Sequence, residues 1–381
     1  MKLPMQTSTE NAGAPLFAAG HVIPIAMWDF SWLERRWPGA GYEDWDRALD
    51  ELAERGYEAV RIDAYPHLLA ANFDREWELL PCWNTQDWGA PSRCRVRPGP
   101  ALVKFIQACA ARNIRVGLST WFRRDVDNIR THVTTPLRHA DAWLGVLERL
   151  AGEGLLQALL YVDLCNEWTH SEWAPIFHNP PQYAPDEWDS PPSLAWLNTA
   201  LALVRERFPS LPLTVSTNTR PWRYGEVDVS AFDFIEAHLW MASANTSDFY
   251  KRAGYAYELF DPKGYDNLAR HGEALYRSDP GHWLGLLKNI ITKTADASRA
   301  ADRPLATTEG WSVVDYKDWP LLDWGWVKEG CEFGVDAALA TGRWRAMCTS
   351  NFCGPQFRGM WRDTEWHRRL TGRMRVMTAA G

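Results

Sequence analysis

One phrase recurs along the chain and limits what it can become: an amphipathic helix, a Gly or Asn stop, then a short β-branched run. Asp44 to Arg55 puts Trp45, Ala48, Leu49, Leu52 and Ala53 on one helical face. Gly56 can take the left-handed conformation that ends a helix, and Tyr57 to Ile62 then reads as a strand. Pro100 to Arg112, Asn113, and Ile114 to Thr120 repeat the phrase, as do His139 to Leu150, Gly152, and Ala158 to Cys165. Ser193 to Phe208 precedes Leu213 to Thr217, and Asp336 to Thr341 with Gly342 precedes Trp344 to Thr349. His21 to Trp28, Phe232 to His238 and Leu305 to Thr308 bring the strands to eight. Strands that alternate with helices pair in parallel, and eight such units predict a closed (β/α)8 TIM barrel. The barrel is expected to span 21–381 as one domain, with residues 1–20 as an N-terminal extension. Its weakest joint is Arg220 to Ala231, which has room only for a turn or a very short helix. An open doubly wound sheet is the structural alternative, but it would want a Gly-rich phosphate loop after its first strand, and none is present. In a barrel the long stretches 65–98, 168–190 and 240–270 would all lie on one face.

Composition narrows the partners. The net charge is 41 − 48 = −7 with no basic stripe, which argues against nucleic acid. No apolar run reaches the ~18 residues of a membrane span. Met1 to Phe17 lacks the apolar core of a signal peptide, so a cytoplasmic protein is expected. The seven cysteines are odd in number and form no C-x-x-C pair, so each reads as a reduced thiol.

The 23 tryptophans are far more than a core needs. On this strand map sixteen of them (28, 32, 37, 77, 83, 88, 121, 168, 173, 188, 222, 240, 311, 319, 324 and 326) fall at or after strand C-termini, the face where barrels place their active sites. Flat apolar rings with a polar handle suit the C–H faces of sugars. Long loops also need small cores of their own, which is the alternative reading, but the distribution favours a carbohydrate cleft.

Two strands end in glutamate. Tyr161-Val162-Asp163-Leu164-Cys165-Asn166-Glu167-Trp168 carries an acid to a strand end beside an indole, and Leu305-Ala306-Thr307-Thr308-Glu309-Gly310-Trp311 does the same on another strand. Cleaving a glycosidic bond needs a carboxylic acid to protonate the leaving oxygen and a second carboxylate to attack the sugar or to activate water. Adjacent side chains on a regular strand point to opposite faces, so Asn166 and Glu167 can share a cleft only if the strand end is kinked or bulged.

With these phrases in view, the sequence resembles glycoside hydrolase clan A, and more narrowly the cellulase-like proteins related to family 5. The resemblance runs from about His21 to Trp366. It rests on Trp28-Asp29-Phe30-Ser31-Trp32-Leu33, on Gly56 through Pro66, on the Asn-Glu ending strand four and on the Glu ending strand seven. It implies a retaining hydrolase with Glu167 as acid/base and Glu309 as nucleophile, acting on β-linked sugars. Asn166 would bond the sugar 2-hydroxyl, Arg61 would hold Glu309 ionised, and His238 would shape the site. Asp63, Trp28, Trp121, Trp240 and Trp311 are further candidate substrate contacts. Asp29 and Asn218 also stand near strand ends, as does Asp163, which reads as structural.

The chain departs from family 5 in three places. Leu118-Ser119-Thr120-Trp121 stands where a strand-three histidine is usual, Trp240 replaces an aromatic hydroxyl, and Ser350-Asn351-Phe352 replaces the strand-eight tryptophan. These changes bear on which sugar is bound more than on mechanism. No H-x-H, H-E-x-x-H or G-x-S-x-G spacing occurs, so neither a metal, another cofactor nor a serine nucleophile is expected. A carbohydrate is the expected partner. A non-catalytic sugar-binding barrel and a transglycosylase using the same residues remain alternatives.

Overall fold

The computed structural model describes residues 20–83, 86–175, 187–255, 262–318 and 322–376. The strands in chain order are β1 (Ile23–Asp29), β2 (Ala59–Asp63), β3 (Trp77–Leu79), β4 (Cys94–Val96), β5 (Arg115–Ser119), β6 (Leu159–Asp163), β7 (Leu213–Thr214), β8 (Ser216–Thr217), β9 (Ile235–Ala237), β10 (Leu239–Trp240), β11 (Leu305–Thr307), β12 (Gly310–Trp311) and β13 (Trp344–Met347). The main sheet runs β7-β6-β5-β2-β1-β13-β11-β9-β8, and every pairing in it is parallel. Only Val215 separates β7 from β8, so the two ends of the sheet are halves of one interrupted strand and the sheet closes into a barrel. The open-sheet alternative is thereby excluded.

The helices start and stop where the chemistry dictates. Proline opens Pro98–Ala110, Pro136–Gly152, Pro191–Arg207 and Pro280–Ala300, at positions where a missing N–H costs nothing. Asp44 caps Trp45–Glu54 by accepting from the Arg47 N–H, and Thr135 accepts from that of Arg138. Gly56, Asn113 and Gly342 all take positive φ after their helices, as expected. The stop assigned to Gly152 falls instead at Gly154, because the helix keeps one more turn of bonds and Gly154 is the residue with φ of 70°. The narrow joint after β8 holds a 3₁₀ turn, Pro221–Gly225. Unanticipated is an antiparallel hairpin of β3 and β4 within the loop after β2.

The bottom of the barrel is filled by Ile23, Ile25, Ala59, Leu160, Tyr161, Phe234, Ala306 and Ala346. Gly117 makes room for the Tyr161 ring, since a Cβ there would lie 2.6 Å from it. This packed floor puts the site on the other face, above β2 and β6. The described parts of the three long loops converge there: the Trp83 and Trp173 rings meet edge-on, Gln86 bonds Asp315, and Tyr250 accepts from the N–H groups of Val314 and Asp315. Residues 1–19 of the expected extension lie outside the described residues. Among the described residues, no helix is long and apolar enough to cross a membrane. All seven cysteines are unpaired.

Candidate active site

Arg61 is the centre of the site and fully buried. It projects from β2 and donates from Nη1 to Glu309 Oε1 at 3.0 Å, and from Nη2 to Asp163 Oδ2 and Asn166 Oδ1, both at 2.6 Å. Its Nη2 also reaches the Ser119 and Ser216 hydroxyls, and the Trp121 ring lies 4.8 Å from the guanidinium carbon. Burial works against this charge, but Glu236, Asp163 and Glu309 outweigh it and push the guanidinium higher still. Asp163 is structural: besides Arg61 it accepts from the Ser119 and Ser216 hydroxyls and from the Ser216 and Cys165 N–H groups.

The strand ends break their period to deliver the acids. β6 stops at Asp163, and Glu167 sits at φ 46°, a left-handed conformation that turns the chain. Adjacent residues therefore both face inward, with Asn166 on Arg61 and Glu167 on His238. His238 stands in the gap between β9 and β10, and Glu309 between β11 and β12. Beyond those gaps, β10 and β12 leave the main sheet and pair only with each other. Both functional side chains thus occupy points where the ladder is interrupted.

His238 Nδ1 lies 2.9 Å from Glu167 Oε1 and 3.7 Å from Glu309 Oε1, and its Nε2 lies 2.9 Å from Glu236 Oε2. Burial disfavours charge on this ring. The carboxylates of Glu309 and Glu236, with hydrogen bonds to Glu167 and Glu236, prevail and hold it well above the ordinary histidine range. Burial would also raise Glu236, yet His238 and Arg61 hold it at about 2. For Glu309 burial wins. Helped by the charges of Glu167 and Glu236, it lifts the carboxyl to about 7 against His238 and Arg61. The contact expected between Arg61 and Glu309 is present, but it does not by itself keep Glu309 ionised.

One donor atom each from Glu167, His238 and Glu309 lies within 4.8 Å of the others, a spacing that a metal ion could bridge. Sequence spacing could not announce this set, because it comes from three strands. Both His238 nitrogens already face carboxylates, so a proton on the ring does there what a cation would do.

Above the acids is a cavity of about 420 Å³, including the part open to solvent. Trp121, Asn166, Glu167 and Glu309 line it. Arg61 and His238 lie behind that lining, bonded to Glu309 and Glu167. Four of the other candidates lie elsewhere. Asp63 is fully buried, and its two oxygens accept from the N–H groups of Tyr65 and Trp121. Trp28 and Trp311 are core residues whose indoles donate to the carbonyls of Cys353 and Cys348. Trp240 packs edge-on against His238, buried behind the wall. Of those of the sixteen tryptophans that are among the described residues, Trp83, Trp88, Trp121 and Trp173 line the cavity. Most of the rest build the small cores that long loops need. Trp32, Trp168 and Trp188, for example, spend their N–H on Asp63, Ser193 and Thr219. Trp37 and Trp222 are exposed, and Trp319 lies outside the described residues.

Sequence reasoning gave no role to Glu236, Gln86 or Asp315. Glu236 was recoverable: it is two residues before His238, on the same strand face. Gln86 and Asp315 come from loops and carry no periodic signal.

A closed parallel barrel with paired carboxyls at its strand ends defines a glycoside hydrolase-like protein of clan A. A family model described as sugar-binding cellulase-like matches residues 25–375, and the chain belongs to that cellulase-like family. A protein of Parabacteroides distasonis assigned by inference to the glycoside hydrolases is 50% identical, with a TM-score of 0.92 over 94% of this chain and 95% of that one. Two further structures share the fold. β-Glycosidase BGL167 has 11% identity and a TM-score of 0.54, over 96% of this chain and 99% of its own. A subfamily 18 member of glycoside hydrolase family 5 from Bifidobacterium longum has 12% identity and a TM-score of 0.51, over 94% of this chain and 81% of its own. No curated protein sequence matches the chain.

Proposed function

We propose that this protein is a retaining glycosidase that cleaves a β-linked bond in a soluble glycoside or short oligosaccharide, with Glu309 as nucleophile and Glu167 as acid/base. The observation that carries this reading is the short reach between the two acids, whose nearest oxygens lie within 4.8 Å. Double displacement wants carboxyls roughly 5–5.5 Å apart, whereas inversion needs about 6.5–9.5 Å to admit a water.

In the first step Glu309 attacks the anomeric carbon while Glu167 gives its proton to the leaving oxygen. In the second, Glu167 takes a proton from water, which releases the sugar from Glu309. Glu309 must therefore be ionised when it attacks. Its carboxyl near 7 holds a proton for part of the time in the empty site, and His238 lies within 3.7 Å of both acids as a path by which that proton can reach Glu167. Asn166, held by Arg61, then bonds the hydroxyl next to the reacting carbon.

An NMR time course tests the mechanism. Product should appear first with the anomeric configuration of the substrate, and first appearance of the opposite anomer would sink the proposal. Glu309→Ala should abolish turnover of every glycoside. Glu167→Ala should retain measurable turnover of a 2,4-dinitrophenyl glycoside, whose leaving group needs no proton, and azide should raise it. Dialysis against a chelator should leave the rate unchanged. Activity that vanished and returned with added metal would make the Glu167–His238–Glu309 set a metal centre instead.

A further inference from the structure

We infer that the cavity is a glycone subsite for an uncharged sugar ring, whose hydroxyls are held by Asp29, Trp88 and Asn351. This rests on the hydrolase reading above and adds to it the class of sugar.

Four side chains lining the cavity each carry a buried polar atom with no hydrogen-bond partner among the described residues: Asp29 Oδ2, Trp88 Nε1, Asp315 Oδ2 and Asn351 Oδ1. Their residues are 1%, 7%, 2% and 1% exposed. Asp315 spends its other oxygen on the Gln86 amide. Each is held in place by its other contacts. Asp29 ends β1 at φ 45° and accepts from the Ser31 N–H through Oδ1. Asn351 donates through Nδ2 to the Val314 carbonyl at 3.2 Å. The Trp88 ring packs on Phe352 and Phe357. Buried polar atoms in folded proteins almost always find a partner, so four orphans on one cavity wall point to a ligand that supplies it.

Their chemistry selects the ligand. The indole N–H only donates, the amide oxygen only accepts, and the carboxyl does one or the other with its protonation. Hydroxyl groups do both. An anionic group cannot donate to the Asn351 oxygen, and the lining offers it four carboxyl groups (Asp29, Glu167, Glu309 and Asp315) but no Lys, Arg or His. A cationic group cannot accept from the Trp88 N–H. The hydroxyls of an uncharged polyol serve all four atoms.

The topology fixes which side of the scissile bond is held. β1, β13 and β11 are neighbours in the sheet, so Asp29 and Asn351 stand at strand ends beside the one that delivers Glu309. Glu167 arrives from β6, on the other side of β1 in the sheet order. The nucleophile's side of the site holds the sugar that becomes bonded to the protein.

The test uses the purified protein and 4-nitrophenyl β-glycosides of glucose, galactose, mannose and xylose, set against the β-glucuronide. At least one uncharged glycoside should show kcat/KM about tenfold or more above the uronide. Trp88→Phe and Asn351→Ala should each raise KM about five- to tenfold, the cost of a lost hydrogen bond. The factor should be the same for 4-nitrophenyl and 2,4-dinitrophenyl leaving groups, since the contacts are with the glycone. Melting curves identify a variant that is merely unfolded, and the other variant then decides. Preference for the uronide, or wild-type KM in both variants, overturns the subsite. If no glycoside of either kind is turned over, the hydrolase reading fails instead. Calorimetric titration with the free neutral sugars and with glucuronate then judges the subsite alone, and tighter binding of the uronate overturns it.

Discussion

A carboxyl kept out of water works against the fold that holds it. Glu309 is 7% exposed, and its carboxyl is raised to about 7 from the ordinary 4.5. Between those two values the folded state holds a proton that the unfolded state has released, so stability falls as pH rises through that window. Glu309→Gln should therefore melt higher than wild type at pH 8, by up to about 3 kcal/mol, with the advantage gone near pH 4. Differential scanning calorimetry at the two pH values checks this, and a variant less stable at pH 8 would contradict it. Arg61 predicts the opposite cost. It bridges Glu309, Asp163 and Asn166 with one planar fork, so Arg61→Met should destabilise by about 3–5 kcal/mol by leaving carboxylates buried without their cation. These residues were legible in the sequence because each ends or lines a strand. Asp63, Trp28 and Trp311 read in the same way and turned out structural. The sequence shows that a side chain is near the site, but not whether its polar atoms are already spent on backbone partners, as those of Asp63 are on Tyr65 and Trp121.

At the scale of elements, the strands do their chemistry where they stop being regular. Asp29 and Glu167 have positive φ, and His238 and Glu309 stand in ladder gaps. Such conformations cost of order 1–3 kcal/mol each and persist only when the surroundings impose them. β9 illustrates the return. Its period places Glu236 beneath His238, where the carboxylate helps hold the ring's charge. Glu236→Gln should let His238 lose its proton at lower pH, so the alkaline limb of kcat/KM should move down the pH scale, while a merely structural loss would lower the profile without moving it. The regular elements were readable because an apolar face followed by a Gly or Asn stop is a local signal. β3 and β4 were not readable, since three residues, such as Trp77-Glu78-Leu79, are too few to show alternation. The Gln86–Asp315 contact was equally hidden, because it joins residues far apart in sequence.

The whole molecule is a ring closed at one place. β2 and β5 pair over five residues, whereas the interrupted strand meets β6 through Leu213 and Thr214 only and β9 through Ser216 and Thr217 only. Side chains supplement those short ladders. Asp163 accepts from the Ser216 N–H and hydroxyl, and the same hydroxyl accepts from the Glu167 N–H. The joint of the barrel and the seat of Glu167 are thus one set of bonds. Warmed slowly, the protein should fall silent before it melts. Catalytic activity should be lost several degrees below the midpoint seen by circular dichroism and should return on cooling from that interval, and coincident loss of the two would show that the joint is no weaker than the rest. What closes the barrel would then also set the highest temperature at which it can work.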